Sequence, residues 1–134
     1  MSSPKEYRGP RWLKLDVQDV RTPESRFLIG EGGSAGWAAY GRWVALRQLL
    51  MDADDGMLDL SDRREAGAIA RELNTSAKSL FSLLDDVASR GGIDAEEWGR
   101  RMVVCPDVSA QHECYRSRAE SMARARRKRD GPSA

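Results

Sequence analysis

Apolar residues recur at three- and four-residue steps through the middle of the chain, which is the spacing of amphipathic helices. One such stretch covers residues 35–53 after a capping Ser34, a second covers 62–73 after a capping Ser61, and a third covers 76–89. Serine is a favoured residue at helix starts because its hydroxyl accepts a hydrogen bond from a free amide. Three helices are therefore predicted around one core, which contains Tyr40, Val44, Ile69, Leu73, Leu80 and Leu84.

Shorter patterns before these helices predict two further elements. Apolar and polar residues alternate from Arg11 to Val17, which is typical of a short, half-buried strand. Thr22 followed by Pro23 is a helix-start signal, and the helix that it opens is predicted to end at Gly30.

The remaining elements define the fold class. Met57–Leu60 is predicted as a short strand, and Ile93–Glu97 with Arg101–Val104 as a hairpin. Two helices joined by a three-residue turn and followed by a hairpin are typical of a winged helix-turn-helix. The predicted class is mainly α: a winged helix-turn-helix with a small β-hairpin wing and a basic C-terminal helix or tail.

A length of 134 residues fits one domain with a tail. The predicted organisation is a flexible lead-in over residues 1–10, a winged-helix domain over 11–108 and a basic helical tail over 109–134. No run of 18 apolar residues exists, and the polar N-terminus lacks the apolar stretch of a secretory signal. A cytoplasmic protein without a membrane segment is expected.

Charge is distributed unevenly along the chain. The net charge is +1, but the segment Arg116–Asp130 alone carries +5, so the rest of the chain carries −4. Such a segment is suited to nucleic-acid phosphates, and the alternatives are docking on an acidic partner or a disordered solubilising end. Its basic residues are Arg116, Arg118, Arg124, Arg126, Arg127, Lys128 and Arg129.

The third predicted helix and the hairpin offer further nucleic-acid contacts. A recognition helix touches bases and phosphates near its N-terminus, where this helix has Ser76, Lys78, Ser79 and Ser82. Arg100 and Arg101 fall in the predicted wing, where basic side chains contact the minor groove or phosphates. The alternatives are a plain solvated helix face, since acidic Asp85 and Asp86 follow on the same helix, and a charged hairpin tip with Trp98 on the core.

Other chemistries find little support. Two cysteines, Cys105 and Cys114, and the single His112 are too few for a structural zinc site, and reduced thiols are expected. No nucleophile–base set or phosphate-loop motif is present, so neither an enzyme nor a bound cofactor is expected. The aromatic residues Trp12, Trp37, Tyr40 and Trp43 are interpreted as core, since a base-stacking platform would need them exposed beside arginine.

The order of these elements resembles a known family. The segment Gly36–Trp43, GWAAYGRW, is similar to the Gly-x-x-x-Tyr-Gly-x-(Tyr/Trp) segment of the winged-helix N-terminal domain of phage and mobile-element replication initiators, the DnaD-like replisome organisers. An acidic-Gly turn with a short strand follows at Asp54–Leu60, and a basic Ser-Arg-Ala segment at Ser117–Arg126. The resemblance extends from Trp12 to about Arg129 and implies a winged-helix fold.

The leading hypothesis is therefore a DNA-binding winged-helix protein of a phage or mobile element, acting in replication initiation or its regulation. The acidic body favours a first alternative, a winged helix that binds proteins of the replication or host-defence machinery. Such a protein would be a replisome adaptor or a phage-encoded inhibitor such as an anti-CRISPR. A second alternative is a small transcriptional repressor, which needs dimerisation to bind paired half-sites.

Overall fold

Helices make up most of the computed structural model, which describes residues 12–30 and 32–130. Two short strands form one antiparallel sheet, so the mainly α class is confirmed. In chain order the elements are α1 (Pro23–Ile29), α2 (Gly33–Asp52), β1 (Met57–Asp59), α3 (Arg63–Glu72), α4 (Ala77–Ser89), α5 (Ala95–Gly99), β2 (Met102–Val104) and α6 (Pro106–Asp130). The predicted lead-in, residues 1–10, lies outside the described residues.

Side-chain caps determine where several helices begin. The Thr22 hydroxyl caps α1 as predicted, and the Ser76 hydroxyl caps α4. Ser61 does not cap α3, because its amide and hydroxyl both bind the Asp59 carboxylate, and Asp62 is the cap instead. The predicted cap of α2 is also wrong, since Ser34 lies inside a helix that begins one residue earlier.

The core lies between α2, α3, α4 and the first turns of α6. The four predicted core residues of α3, α4 and the turn between them are buried, and they follow one another at steps of four, seven and four residues: Ile69, Leu73, Leu80 and Leu84. On α2 the buried apolar residues are Trp43, Leu46, Leu50 and Met51, and the two residues of this helix in the predicted core lie at the edge of that stripe. Tyr40 and Val44 are consequently only partly buried.

Leu84 provides a test of this packing, because its side chain is 0% exposed. Leu84→Ala is expected to lower the free energy of unfolding by about 2–5 kcal/mol, since it removes buried methyl groups and leaves a cavity. Leu83→Ala is the matched control: Leu83 is the neighbouring, partly buried leucine and should cost less. Urea unfolding measures both changes, and an equal loss for the two variants would contradict the orientation of α4.

The predicted hairpin is wrong. Residues 95–99 form α5, because the Asp94 carboxylate accepts a hydrogen bond from the amide of Glu97 and caps a helix at this point. β2 pairs with β1 and not with the predicted partner Ile93–Glu97, in the register Met57 to Val104 and Asp59 to Met102. The sheet therefore joins the segments on either side of the α3–α4 pair.

The predicted strand over residues 11–17 is also absent from its described part, residues 12–17. Side chains of α6 bind this backbone where a partner strand would bind it. The Tyr115 hydroxyl accepts from the Trp12 amide at 2.9 Å and donates to the Trp12 carbonyl at 3.2 Å. Gln111 accepts from the Lys14 amide at 2.8 Å and donates to the Lys14 carbonyl at 3.0 Å. We call residues 12–18 the N-terminal segment.

Candidate nucleic-acid interface

The turn between α3 and α4 is fixed from three sides. Leu73 is buried, and Asn74 adopts a left-handed conformation with φ of 55° that ends α3. From α2, the guanidinium of Arg42 donates to the Leu73 carbonyl at 3.1 Å and to the Asn74 carbonyl at 3.4 Å. This places the start of α4 rigidly at the protein surface.

The four predicted contact residues of α4 all lie at this exposed start: Ser76, Lys78, Ser79 and Ser82. The Ser76 hydroxyl is partly occupied, since it accepts from the Ser79 amide at 3.1 Å as the helix cap. Lys78 and Ser82 are one turn apart, on a side opposite the buried Leu84. The structure brings the predicted residues together, and their contact with nucleic acid stays a prediction.

One acidic side chain of α4, Asp85, is paired within the chain. Asp85 accepts a hydrogen bond from Trp98 Nε1 at 2.8 Å, and the Arg101 guanidinium lies 3.8 Å from the same oxygen. Asp85 therefore faces α5 and the start of β2. A negative charge that is held by an arginine repels a phosphate less than a free one does.

Arg100 and Arg101 are not at the tip of a wing, because their segment is the end of a helix. Arg100 pairs with Glu97 at 2.7 Å and with Glu96 at 3.7 Å on α5 itself. Arg101 stacks over Trp98, with its guanidinium carbon 4.5 Å from the ring centroid, and over Phe81 at 5.0 Å. Both arginines already have partners within the chain, so a contact with DNA would compete with these.

The basic residues of α6 form the most strongly charged surface in the sequence. Val108 and His112 are buried, and His112 Nε2 lies 2.9 Å from the Ala53 carbonyl oxygen, which attaches the start of α6 to the end of α2. All seven cations of the second half of α6 are exposed, and they are distributed around the whole helix: Arg116, Arg118, Arg124, Arg126, Arg127, Lys128 and Arg129. We call residues 116–130 the basic half of α6.

The interpretation of the aromatic residues as core is wrong for two of them. Trp12 is 66% exposed and Trp37 is 52% exposed, whereas Trp43 is buried. Trp37 packs edge-on against Tyr40 on a face of α2 that nothing in the described chain covers fully. No pattern in the sequence indicates the exposure of Trp12, because residues 12–17 do not form the strand whose alternation was predicted.

A buried ion pair lies behind the N-terminal segment, and sequence patterns did not indicate it. Arg47 donates to both carboxylate oxygens of Asp19, at 2.7 and 2.8 Å, and the Tyr40 hydroxyl donates to one of them at 2.5 Å. The hydrogen bonds from Arg47 lower the pKa of the Asp19 carboxyl, and burial beside that carboxylate raises the pKa of Tyr40. Arg47 occupies a position in the buried stripe of α2, where an apolar residue is usual.

A cavity of about 650 Å³ opens beside this pair, lined by Trp43, Arg47 and Cys105 and by residues of the N-terminal segment. Burial raises the pKa of Cys105, so its thiolate is disfavoured as a nucleophile or metal ligand. Cys105 is buried, Cys114 is exposed, and neither forms a disulfide. Among residues 12–30 and 32–130, no group of three acidic, histidine or cysteine side chains is placed to hold a metal ion.

Comparison with protein-family models, with curated proteins and with solved structures finds no match for this chain. None of the described helices combines the length and the apolar character that a membrane crossing requires.

Proposed function

We propose that the protein binds DNA as a variant winged helix, in the replication initiation of a phage or mobile element or in the regulation of that process. The observation that carries the proposal is the basic half of α6. It is an exposed helical segment with seven basic and two acidic side chains, projecting from a body of net charge −4. Cations presented in this way release counterions from DNA and give affinity without sequence preference.

The α3–α4 pair supports a second contact. α4 begins with a capping serine and presents Lys78 and small hydroxyl side chains near its N-terminus. Free amides at a helix start favour phosphate oxygens, and hydroxyl groups donate to phosphates or base edges. In this proposal α4 contacts a groove or its edge, and α6 holds the flanking phosphates. The pairing of β1 with β2 and the helix α5 take the place of a regular wing.

Titration of the intact protein with labelled duplex DNA tests the proposal. Binding is expected at about 50 mM salt, with log K falling linearly with log salt up to about 200 mM. The same series with single-stranded DNA of equal length gives the strand preference. Undetectable binding to every DNA at low salt would overturn the proposal and favour the protein-binding alternative.

Lys78→Ala tests the role of α4 separately. Lys78 is the only cation in the first turn of α4, so its loss is expected to weaken duplex binding uniformly across sequences and to reduce the salt slope by about 0.9. Arg26→Ala, an exposed cation of α1, is the control of equal charge. A sequence-dependent loss would mean that Lys78 contacts bases, and equal losses for both variants would remove α4 from the interface.

The second candidate function is protein binding. The acidic body and the prior engagement of Arg100 and Arg101 within the chain favour it. A replisome adaptor or an inhibitor of a host system would use the basic half of α6 against an acidic protein surface. This candidate predicts that changing the charge of α6 does not change the affinity for DNA, because little DNA would bind at physiological salt.

A further inference from the structure

Trp12 combines an exposed ring with a fixed backbone. Its side chain is 66% exposed, the second-highest fraction among the exposed large apolar residues of the described chain. Its amide and its carbonyl are both bound by the Tyr115 hydroxyl. An indole presented to solvent from an anchored backbone loses little further conformational freedom when a flat partner covers it.

The part of α6 that anchors Trp12 carries two exposed arginines, of which Arg116 pairs with Glu113 at 3.2 Å. Tyr115, which anchors Trp12, immediately precedes Arg116, and the Arg118 guanidinium carbon lies 5.8 Å from the centroid of the Tyr115 ring. The exposed Trp12 is therefore attached at the point where the buried part of α6 ends and its basic half begins. Met122, 52% exposed, adds apolar surface two turns further along α6.

We propose that Trp12 stacks on an unpaired base of a nucleic-acid strand whose phosphates lie along the basic half of α6. The proposal rests on the proposed function and adds to it a preference for DNA with a single-stranded part. Surfaces that bind single strands combine aromatic rings, which stack on any base, with arginines that follow the backbone. Here the exposed ring and the arginines are joined through one residue, Tyr115.

Charge distinguishes the candidate occupants of this exposed tryptophan. In a symmetric contact a second copy of the chain would bring an equally basic helix to the same place, and the two would repel each other. A nucleic-acid strand supplies an apolar base face for the indole and negative charge for Arg118, and for Arg116 in addition to its pair with Glu113. The base therefore satisfies both features of this surface, whereas the acidic protein surface of the second candidate function predicts no oligothymidylate binding.

Trp37 provides the matched control. It is also exposed, at 52%, but it lies near the start of α2, whereas His112 of α6 binds the carbonyl of Ala53, directly after the end of α2. Sixteen residues of helix separate these two positions, a rise of about 24 Å. Its sequence neighbours are Gly36 and Ala38, so no cation adjoins it in the chain.

The test measures the affinities of the full chain for labelled oligothymidylate and for a duplex of the same length by fluorescence anisotropy. Trp12→Ala keeps both backbone hydrogen bonds to Tyr115 and is expected to lower the oligothymidylate affinity by about 5- to 150-fold, as for one lost stacked base. The duplex affinity should change by less than about twofold, within the range of surface substitutions. Trp12→Phe should retain much of the oligothymidylate affinity that Trp12→Ala loses, and Trp37→Ala should change neither affinity.

Three outcomes would overturn the inference: equal effects of Trp12→Ala and Trp37→Ala, equal losses on both DNAs, or no oligothymidylate binding by the unaltered chain. Duplex binding that persists in the last case would leave the proposed function intact. Oligothymidylate binding that depends on Trp12, without any duplex binding, would instead overturn the proposed duplex contact and support the inference.

Discussion

Changing Arg124, Arg126, Arg127 and Arg129 together to glutamine is expected to weaken duplex binding strongly and to flatten its dependence on salt. Each lost phosphate contact lowers the slope of log K against log salt by about 0.9, so the full set lowers it by up to about 3.6. These four side chains are exposed on the last turns of α6, beyond its contacts with the core. Without them the segment no longer offsets the −4 charge of the body.

Two controls separate this effect from a change in net charge or in folding. Glutamine is a good helix former, so circular dichroism should show unchanged helicity. The matched variant replaces four exposed arginines outside α6 and alters the net charge equally: Arg21, Arg26, Arg63 and Arg64. An equal fall in affinity and slope for the two variants would mean that α6 is not a specific phosphate contact.

Replacing Asp19 with alanine is expected to lower the free energy of unfolding by about 3–5 kcal/mol, the usual cost of leaving a buried charge without its partner. The Arg47 side chain is 3% exposed, and in the described part of the chain its Nε has no hydrogen-bond partner. Its remaining nitrogens depend on Asp19. Urea unfolding of Asp19→Ala, Arg47→Met and the double variant measures the coupling. A double variant as costly as the two single losses together would show that the pair is not coupled.

The same pair gives stability a defined dependence on pH. Arg47 lowers the pKa of Asp19 in the folded protein below its value in the unfolded chain. The contribution is therefore complete above about pH 4 and is lost as the pH falls through the lowered folded value. The difference in unfolding free energy between the unaltered chain and Asp19→Asn should shrink over this range. A difference that stays constant from neutral pH to strong acid would contradict the assignment.

Long helices could be predicted from the sequence because their periodicity repeats over many residues, as in α2 and α4. The two strands were predicted at Met57–Leu60 and Arg101–Val104, close to where they lie, but their pairing with each other was not predicted. Strands of three residues carry too little pattern to determine which segments pair. Residues 95–99 did carry a helix signal: Asp94 precedes Glu97 by three positions, the spacing of a capping box.

The features of the candidate interface were likewise predictable only in part. Exposure of Lys78 and of the basic half of α6 follows from local pattern and was predictable. The pairing of Asp19 with Arg47 joins residues 28 apart in sequence, and the attachment of Trp12 to Tyr115 joins residues 103 apart. Such contacts depend on how elements pack, which local spacing does not determine.

The attachment of the N-terminal segment has a consequence for how freely its sequence can vary. Tyr115 and Gln111 bind the main chain of Trp12 and Lys14, which every amino acid except proline presents with the same donor and acceptor. The side chains at positions 12 and 14 can therefore be replaced by any others except proline while the hydrogen bonds to Tyr115 and Gln111 are kept. Exchange of Tyr115 or Gln111 removes these hydrogen bonds, so the hydrogen-bonded attachment of residues 12 and 14 depends on side chains of α6, while Leu13 packs against the core.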